Sequence, residues 1–450
     1  MARRAFRKWS PQGAPTPVAE EDGCVASIML TAMPFAGHAR PIRAVAAELV
    51  RRGHDVRVYT GRPYAELFAE VGARVVPWQA APDFDERNYA ATFPRMRERK
   101  GFRQVLVNLE DLFLGTAQAQ LADLAAAHAQ EPWDLLAGDP MALGTRFAAE
   151  RLGARWATVS PIAVWLPGEG IPPTGLGLTP AAGLPGRVRD ALLGAVAGAG
   201  TRMLTRRYQR TRQEVGLAPD GETFATMWYS PQLVVAAGSP GLDYPRTDLP
   251  AHIRLVGDLT DDGVPHPGGG PVPEWWDDVE RATVPVVHVT QGTANVDPRD
   301  LVLPTVEALA DRDVLVVVGL GHRTDPLPGP LPANVRVAAM VPYSRLLPHT
   351  SVMVTNGGYG GVLQALRHGI PLVLAGGDLE KPEIAARIGW HGAGVNLRTG
   401  RPRPAAIARA VDAVSAEPRY RATAARLGAE LRALGGTRAA ADLLEAHLRA

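Results

Sequence analysis

Two polar residues follow predicted strands in the first half of the chain and could transfer a proton. His38 lies in PFAGHARP, after the apolar run Val25–Ala32, and Asp139 ends the segment DLLAGD. The carboxyl ends of parallel strands meet at one edge of a sheet, so these two side chains could lie side by side. A neutral histidine accepts a proton near pH 7, and a carboxylate beside it fixes its tautomer and stabilises the imidazolium. The alternative for each residue is a capping role at the start of the next helix.

The most distinctive local pattern is TNGGYGGVLQALRHGIPLV, at residues 355–373. A strand runs into four glycines within five residues and then into a helix. Glycines let the backbone approach a ligand closely, and N–H groups at a helix N-terminus attract phosphate. The segment is neither a P-loop, since no Gly-Lys-Ser/Thr follows, nor a dinucleotide fingerprint, since no acidic residue ends the next strand. It predicts a phosphate site, and the alternative is a tight turn that needs glycines for packing.

Two further segments carry weaker signals. VTQGTANVDP places Gly292 and the hydroxyl of Thr293 after a strand, within reach of a phosphate. GGDLEKPEIAARI places Glu380 and Lys381 after another strand, where a carboxylate and an ammonium can bind sugar hydroxyls. The alternative for this pair is an ordinary solvated charge pair at a helix start.

Alternating strands and helices position these residues in the first half. The segment PIRAVAAELVRRG predicts a helix with Pro41 in its first turn and Gly53 at its end, followed at once by a strand at residues 55–60. This β-α-β unit indicates a parallel sheet. Further helices are expected within 102–128 and at about 141–152, and a strand at 232–238 closes the first half.

The second half repeats the pattern, with strands expected in PVVHVTQG, DVLVVVGL, VRVAAMV, SVMVTNG and PLVLAG. The fold class is therefore α/β, with two doubly wound domains facing each other across a cleft. Residues 161–200 interrupt the alternation with Pro, Gly, Leu and Ala; they form either a packed connection with one helix or part of an apolar acceptor wall. The predicted organisation is a mobile tail at 1–23, a first domain at 24–257, a linker at 258–273 and a second domain at 274–450, with the last helix packing back on the first domain.

Composition limits the function classes. A length of 450 residues predicts two domains, and a net charge of +2 does not indicate nucleic-acid binding. The single cysteine, Cys24, excludes an intramolecular disulfide and a multi-cysteine metal site, and it is typical of the reducing cytoplasm. The N-terminus has no apolar stretch after its basic residues, and no segment approaches 18 uninterrupted apolar residues, so neither a secretory signal nor a membrane span is predicted.

The sequence resembles the family-1 glycosyltransferases with the GT-B fold, of the bacterial antibiotic and macrolide type. The resemblance covers nearly the whole chain after the tail. It rests on GHARP near the start, on QGT at the opening of the second domain and on VPYSRLLPHTSVMVTNGGYGGVLQALRHGIPLVLAGG, which is similar to the family's nucleotide-sugar signature.

The resemblance implies a role for each candidate residue. His38 falls on the family's catalytic base, Asp139 on the aspartate that supports it, and the loop of Gly292 and Thr293 on the phosphate-contacting loop. Several donor-side positions depart from the family. The diphosphate-binding histidine is replaced by Asn356, the serine after the glycines by Gly361 and the ribose-binding glutamate by Gln364. The Gln and the aromatic residue around the nucleotide base are replaced by Tyr343 and Met340, and the Asp-Gln that binds the sugar hydroxyls is replaced by Glu380-Lys381. The resemblance places the phosphates at Thr293, Asn356, Gly357, Gly358, Gly360 and Gly361.

The resemblance implies an inverting glycosyltransferase that moves a sugar from UDP or TDP to a hydroxyl of a small, largely apolar acceptor such as a natural-product aglycone. No metal or other cofactor is expected, because the glycine turn supplies the positive end, and the nucleotide sugar is a co-substrate. The departures indicate a donor other than plain UDP-glucose. Two rivals stay open: an enzyme of the sugar-nucleotide epimerase kind, and a non-catalytic helper protein.

Overall fold

The computed structural model describes residues 25–96, 106–181, 183–260, 272–292, 297–321, 323 and 325–450. The predicted tail, most of the predicted linker, Cys24 and Thr293 lie outside these residues.

Seven parallel strands form the sheet of the first half, in the order β3-β2-β1-β4-β5-β6-β7. The inner strands are buried on both faces, which is why they read as continuous apolar runs in the sequence. The strands are β1 Ser27–Thr31, β2 Asp55–Thr60, β3 Arg74–Pro77, β4 Leu135–Gly138, β5 Trp156–Ser160, β6 Val234–Ala236 and β7 Ile253–Leu255. The helices are α1 Ala36–Arg51, α2 Ala65–Ala69, α3 Tyr89–Thr92, α4 Ala117–Gln130, α5 Gly144–Leu152 and α6 Gly183–Glu214.

Six parallel strands form the sheet of the second half, in the order β10-β9-β8-β11-β12-β13. These strands are β8 Val286–Thr290, β9 Leu315–Gly319, β10 Val335–Ala338, β11 Thr350–Thr355, β12 Leu372–Leu374 and β13 Gly394–Asn396. The helices are α7 Trp276–Glu280, α8 Val302–Leu309, α9 Tyr343–Leu346, α10 Tyr359–Arg367, α11 Lys381–His391, α12 Pro404–Ala416, α13 Pro418–Ala433 and α14 Gly436–Arg449. The predicted α/β class with two doubly wound sheets is confirmed.

The start of α1 corrects the prediction. The helix begins at Ala36, so Pro41 lies inside it and His38 belongs to its first turn. Proline has no N–H, so the carbonyl of Gly37 loses its partner within the helix; that single loss is tolerated close to the N-terminus. The outcome matters for the site because a helical first turn fixes the direction of the His38 side chain.

Several other predicted bounds also change. The strand at 232–238 is shorter and does not close the first sheet, because β7 follows it at the edge; β13 in the second sheet was also missed. Within 102–128, where one helix was expected, the chain forms a π-helical segment at Leu109–Leu114 and then α4. The helix of the 161–200 region is α6, whose 32 residues extend to Glu214. The length of this helix could not be predicted from its apolar residues, because several of them do not face the core. The exposed ones are Leu184, Val188, Leu192, Val196 and Met203.

The last helix lies against the first domain, away from the sheet that precedes it in sequence. Arg52 at the end of α1 forms ion pairs with Asp442 and Glu445, and Arg155 donates to the carbonyls of His447 and Leu448. One apolar cluster runs from α1 through α10 and α13 to α14, so the two halves share part of their core. None of the helices in the described residues is both long and apolar enough to cross a lipid bilayer.

Candidate active site

The histidine and the aspartate come together because β1 and β4 are neighbours. In this register Thr31 lies opposite Gly138, so the residues after both strands emerge at the same point of the sheet edge. Gly138 permits this approach, since a Cβ there would lie 1.9 Å from the Thr31 hydroxyl oxygen. Asp139 follows Gly138 directly, and the turn after β1 leads into the first turn of α1, which carries His38.

The Asp139 carboxylate is fully buried and has three hydrogen-bond partners. Its Oδ2 lies 2.7 Å from Nδ1 of His38 and accepts a hydrogen bond from the Met33 N–H, and its Oδ1 accepts one from the Met141 N–H. Asp139 therefore orders the local turn and contacts the imidazole as well, whereas the following helix begins only at Gly144. Because Asp139 holds the proton of Nδ1, Nε2 of His38 remains an acceptor.

The charges around His38 favour its protonated form. Burial lowers the pKa of the imidazole, but the negative charge and hydrogen bond of Asp139, with smaller contributions from Glu380 and Glu86, outweigh it and raise the pKa above the ordinary value. An imidazole with this environment is a stronger base than a free one, and its conjugate acid is stabilised where it forms.

A glycine turn occupies the corresponding edge of the second sheet. The strand β11 ends at Thr355, Gly357 adopts a left-handed backbone with φ of 92°, and α10 begins at Tyr359. Gly360 and Gly361 therefore lie in the first helical turn, where N–H groups have no carbonyl partner within the helix. A Cβ at Gly360 would meet no atom within 4 Å, so the backbone there faces open space. The turn can accept an anion on its N–H groups.

Asn356 joins the glycine turn to the loop after β8. Its amide nitrogen donates to the Gln291 carbonyl, and its amide oxygen accepts a hydrogen bond from the Gly358 N–H at 3.3 Å. Gly292, with a left-handed φ of 75°, lines the cleft next to this bridge. Thr293 follows it but is not among the described residues. One amide proton of Asn356 is thus engaged in the scaffold, and among the described residues the other has no partner.

The Tyr343 side chain points inward, toward a histidine that the sequence reasoning did not single out. Nδ1 of the buried His288 lies 3.0 Å from the Val317 carbonyl, and Nε2 lies 3.1 Å from the Tyr343 hydroxyl. Burial lowers the pKa of His288 to about 4, so the ring is neutral, Nδ1 carries its proton, and the Tyr343 hydroxyl donates to Nε2. Met340 and Gln364 line the cleft nearby. A histidine inside an otherwise apolar strand, PVVHVT, was the available signal.

Glu380 and Lys381 lie at the start of α11, and both line the cleft. The Glu380 carboxylate helps to raise the pKa of His38, while the buried Lys381 ammonium donates to Asp378 at 2.7 Å. Leu379, which directly precedes this pair, has a φ of 52°, an uncommon left-handed conformation for leucine that costs about 1–3 kcal/mol. The pair therefore lines the cleft and does not turn outward into solvent.

Both sheet edges open on a single cleft with a volume of about 1840 Å³. That volume exceeds the roughly 300–1,000 Å³ of an ordinary small-molecule pocket, which leaves room for two ligands. The wall on the first domain is aromatic: the rings of Phe35 and Phe113 lie 6.4 Å apart, and Trp228 packs edge-on against Phe113. One face of α6 completes this wall with small residues, Ala191, Gly194, Ala197, Gly198 and Thr201. Residues 161–200 thus combine a packed connection with part of the cleft wall.

Known proteins match this chain along most of its length. The family model "Erythromycin biosynthesis protein CIII-like, C-terminal domain" matches residues 304–442. The chain is 39% identical over 422 residues to 4'-demethylrebeccamycin synthase of Lentzea aerocolonigenes, which covers 93% of this chain and 99% of that protein. It is 31% identical over 437 residues to UDP-glycosyltransferase 2 of Phaeomoniella chlamydospora, covering 93% and 95%. The chain belongs to the family-1 GT-B glycosyltransferases.

The fold of this glycosyltransferase agrees with solved structures. The glycosyltransferase VinC in complex with dTDP superimposes with a TM-score of 0.66 at 22% identity, covering 94% of this chain and 100% of that one. The relative with 31% identity is named a glycosyltransferase, and neither relative's name favours the epimerase or the helper alternative.

One further residue of the glycosyltransferase escaped the sequence reasoning. Arg40 lies two residues after His38 and lines the cleft. Burial raises the pKa of Tyr343 to about 12, and the positive charge of Arg40 opposes that rise, which indicates that the guanidinium on the first domain lies close to the second. Its charge also acts on Tyr64 of the first domain, whose raised pKa it opposes. Its place inside GHARP was a usable signal.

Proposed function

We propose that this enzyme transfers a sugar, with inversion and without a metal, from a UDP- or TDP-sugar to a hydroxyl of a small, largely apolar acceptor. The observation that carries the proposal is the His38–Asp139 pair at 2.7 Å, which faces the glycine turn across a single cleft. One side of the cleft can remove a proton and the other can hold an anion. The departures at Glu380 and Lys381 favour a donor other than UDP-glucose.

In the proposed reaction the diphosphate lies on the N–H groups of Gly360 and Gly361, with the amide group of Asn356 beside them. Nε2 of His38 takes the proton of the acceptor hydroxyl as its oxygen attacks the anomeric carbon. The bond from that carbon to the diphosphate oxygen breaks on the opposite face, so the configuration inverts and the nucleoside diphosphate leaves. Asp139 stabilises the resulting imidazolium.

Charge grows on the leaving diphosphate during this step, and the groups that meet it are already in place. Backbone N–H groups at a helix start are oriented before the reaction, so they stabilise the transition state without reorganising. Arg40 brings a positive charge from the opposite domain, which compensates for the neutral Asn356 at the family's histidine position. These groups together account for the proposed absence of a metal.

The aromatic wall supports an apolar acceptor. The ring of Phe35 lies 5.8 Å from the His38 imidazole, and Phe113 and Trp228 extend the same aromatic lining, which suits a planar or bulky aglycone better than a sugar. The names of the relatives agree with this class: one is a synthase of a demethylrebeccamycin. A cytoplasmic location stays a prediction from composition.

The test is a thermal-shift screen against UDP- and TDP-sugars, followed by mass spectrometry of reactions with aromatic and macrolide aglycones. A true donor at 100 times its Kd should add about 2.7 kcal/mol of stability. We expect a product heavier than the aglycone by one sugar residue. If no donor of either series binds, or if a donor is converted to another nucleotide sugar without an acceptor, the proposal is wrong.

A further inference from the structure

A loop of the first domain is held by a carboxylate of the second. Residues 171–175 line the cleft, and the N–H groups of Gly175, Leu176 and Gly177 all donate to Oε1 of Glu383, at 2.9, 3.1 and 2.8 Å. Glu383 belongs to α11 and is only 2% exposed to solvent. Three consecutive backbone donors on one buried oxygen form an anion nest whose anion is part of the protein.

The conformation of this loop is shaped by its contact with α11. Gly175 and Gly177 have left-handed φ values of 95° and 60°, which turn the three N–H groups toward one point. A Cβ at Gly177 would lie 3.0 Å from Cβ of Pro382, so a larger residue would push the loop away from the helix. The two glycines of the sequence TGLG therefore allow the backbone conformation and the close approach to α11 that this contact needs.

The second oxygen of Glu383 is also satisfied. Oε2 lies 3.0 Å from Nη1 of Arg387, one turn along α11. The Arg387 guanidinium lies 4.8 Å from the centre of the Trp165 ring and 4.6 Å from that of Tyr244, and it reaches Asp243 of the first domain at 3.2 Å. Both oxygens of the buried Glu383 carboxylate therefore accept hydrogen bonds, which offsets the cost of burying its charge. The contact forms a clasp between the domains.

The clasp joins the two halves of the cleft. Glu383 follows Lys381 by two residues, so the loop rests on the segment that faces the donor sugar. On its other side, Pro173 lies 3.9 Å from the position of a Cβ on Gly194, in the small-residue face of α6. A continuous wall thus runs from the sugar side of the cleft to its acceptor side.

We propose that Glu383, supported by Arg387, is a positioning residue that fixes the 171–177 loop on the donor domain, so that the acceptor stays beside the donor sugar and water is excluded. This inference rests on the proposed transfer reaction. Without the clasp, water takes the place of the acceptor hydroxyl: its oxygen bonds to the anomeric carbon, the bond to the diphosphate breaks, and free sugar, nucleoside diphosphate and a proton are released.

The test compares Glu383→Ala with Glu430→Ala. Glu430 is a matched control, because it too is a carboxylate of the second domain that accepts a backbone N–H of the first, from Gly241 at 2.7 Å, and it lies outside the cleft lining. With 4-methylumbelliferone as the acceptor probe, we expect Glu383→Ala to raise the acceptor KM about tenfold and the hydrolysed share of donor severalfold, with the donor KM within twofold. Equal changes in both variants, or a change in the donor KM alone, would overturn the proposal.

Hydrogen exchange supplies a readout that does not depend on activity. The amides of Gly175, Leu176 and Gly177 should exchange faster in Glu383→Ala, should stay largely protected in Glu383→Gln, which keeps an acceptor oxygen, and should be unchanged in Glu430→Ala. Gly177→Ala, which displaces the loop without touching the charge, should reproduce the kinetic effect of Glu383→Ala. Unchanged exchange in Glu383→Ala would overturn the clasp. A wild-type protein that consumes no donor at all would instead count against the proposed function, and the exchange data still decide the clasp.

Discussion

The two sheets share one topology and use it differently. Each has the strand order that reverses beside its first strand, between β1 and β4 in the first domain and between β8 and β11 in the second. Both functional edges lie at these reversal points, where neighbouring connections leave in opposite directions and open a crevice. The first crevice presents the titratable side chains His38 and Asp139, whereas the second presents glycines and backbone N–H groups.

This difference follows from what each side must do. Proton transfer needs a group whose pKa lies near the working pH and whose tautomer is fixed, which only side chains provide. Holding a diphosphate needs several donors close together, and a backbone without side chains brings them nearer to the anion than long cations would. The predictions below separate the two roles.

The largest effect is expected at the base. His38→Ala should lower kcat by at least about 10²-fold, because it removes the proton acceptor, and should leave donor affinity nearly unchanged, because the diphosphate lies on the other domain. Steady-state kinetics and calorimetric titration with UDP and TDP would check this. Wild-type turnover on an alcohol acceptor would remove His38 from the mechanism.

Asp139→Asn should have a smaller effect on the same side. Loss of a hydrogen bond to a charged group costs about 1.5–3 kcal/mol, which corresponds to a drop in kcat of roughly 10- to 100-fold. Asp139 raises the pKa of His38, so the variant should have a lower pKa there, and the acidic limb of the pH–kcat/KM profile should move to lower pH.

The free energy of unfolding and kcat/KM depend on pH in opposite directions at His38, since the protonated imidazole is stabilised in the folded state and the neutral imidazole is the active base. A raised pKa in the folded state stabilises the protein below the unfolded pKa, and that stabilisation is lost as the pH rises through the folded pKa. The His38–Asp139 interaction should therefore stabilise the wild type most on the acidic side. An acidic limb that stays in place in Asp139→Asn would show that Asp139 does not tune His38.

On the backbone side, Gly360→Ala should separate binding from stability. Alanine is a better helix former by about 1 kcal/mol and meets no atom in the free protein, so the melting temperature should stay the same or rise. The added methyl group would occupy the space proposed for phosphate, so the donor KM should rise about tenfold. A donor KM within twofold of wild type would place the diphosphate elsewhere.

Lys381→Gln tests whether the sugar is read beside the glycine turn. The variant restores the family's neutral amide and releases Asp378, so the ratio of kcat/KM between rival donor sugars should shift by roughly tenfold, about 1.4 kcal/mol. Competition between pairs of UDP- or TDP-sugars measures that ratio directly. If it stays within twofold while activity is retained, Lys381 does not choose the sugar.

No change is expected on adding excess EDTA, since the proposed site holds the anion with backbone N–H groups, Asn356 and Arg40. The described residues contain no group of three or more His, Cys, Asp or Glu side chains that could hold a metal ion. Activity lost in EDTA and restored by Mg²⁺ or Mn²⁺ would contradict the proposed metal-free binding of the diphosphate in the second crevice.

The sequence predicted the parts of the molecule that depend on local pattern. Apolar runs and helical periodicity gave the two sheets, and parallel strand ends brought His38 toward Asp139 before any coordinates. It missed β7 and β13, because their segments IRL and GVN are not continuous apolar runs like the VVA of β6 and the LVL of β12. It also underestimated α6, whose outward apolar residues contradict the usual pattern of a surface helix.

Contacts between segments far apart in the chain could not be predicted from the sequence. The inward direction of Tyr343 depends on His288, which lies 55 residues earlier, and the bond from Glu383 to Gly175 spans 208 residues. By contrast, the ion pair of Lys381 with Asp378 has an i,i+3 spacing and could have been read from the chain.

The position of α14 has a consequence for how the protein is made. His54 and Glu445 are 391 residues apart in sequence, which at ribosomal rates separates their synthesis by roughly 20 to 80 s. During that interval α1 lacks the apolar contact that Leu444 later provides, so the newly made first domain exposes an apolar surface. Nascent chains of this enzyme should therefore engage chaperones through α1 and release them only when the last helix docks.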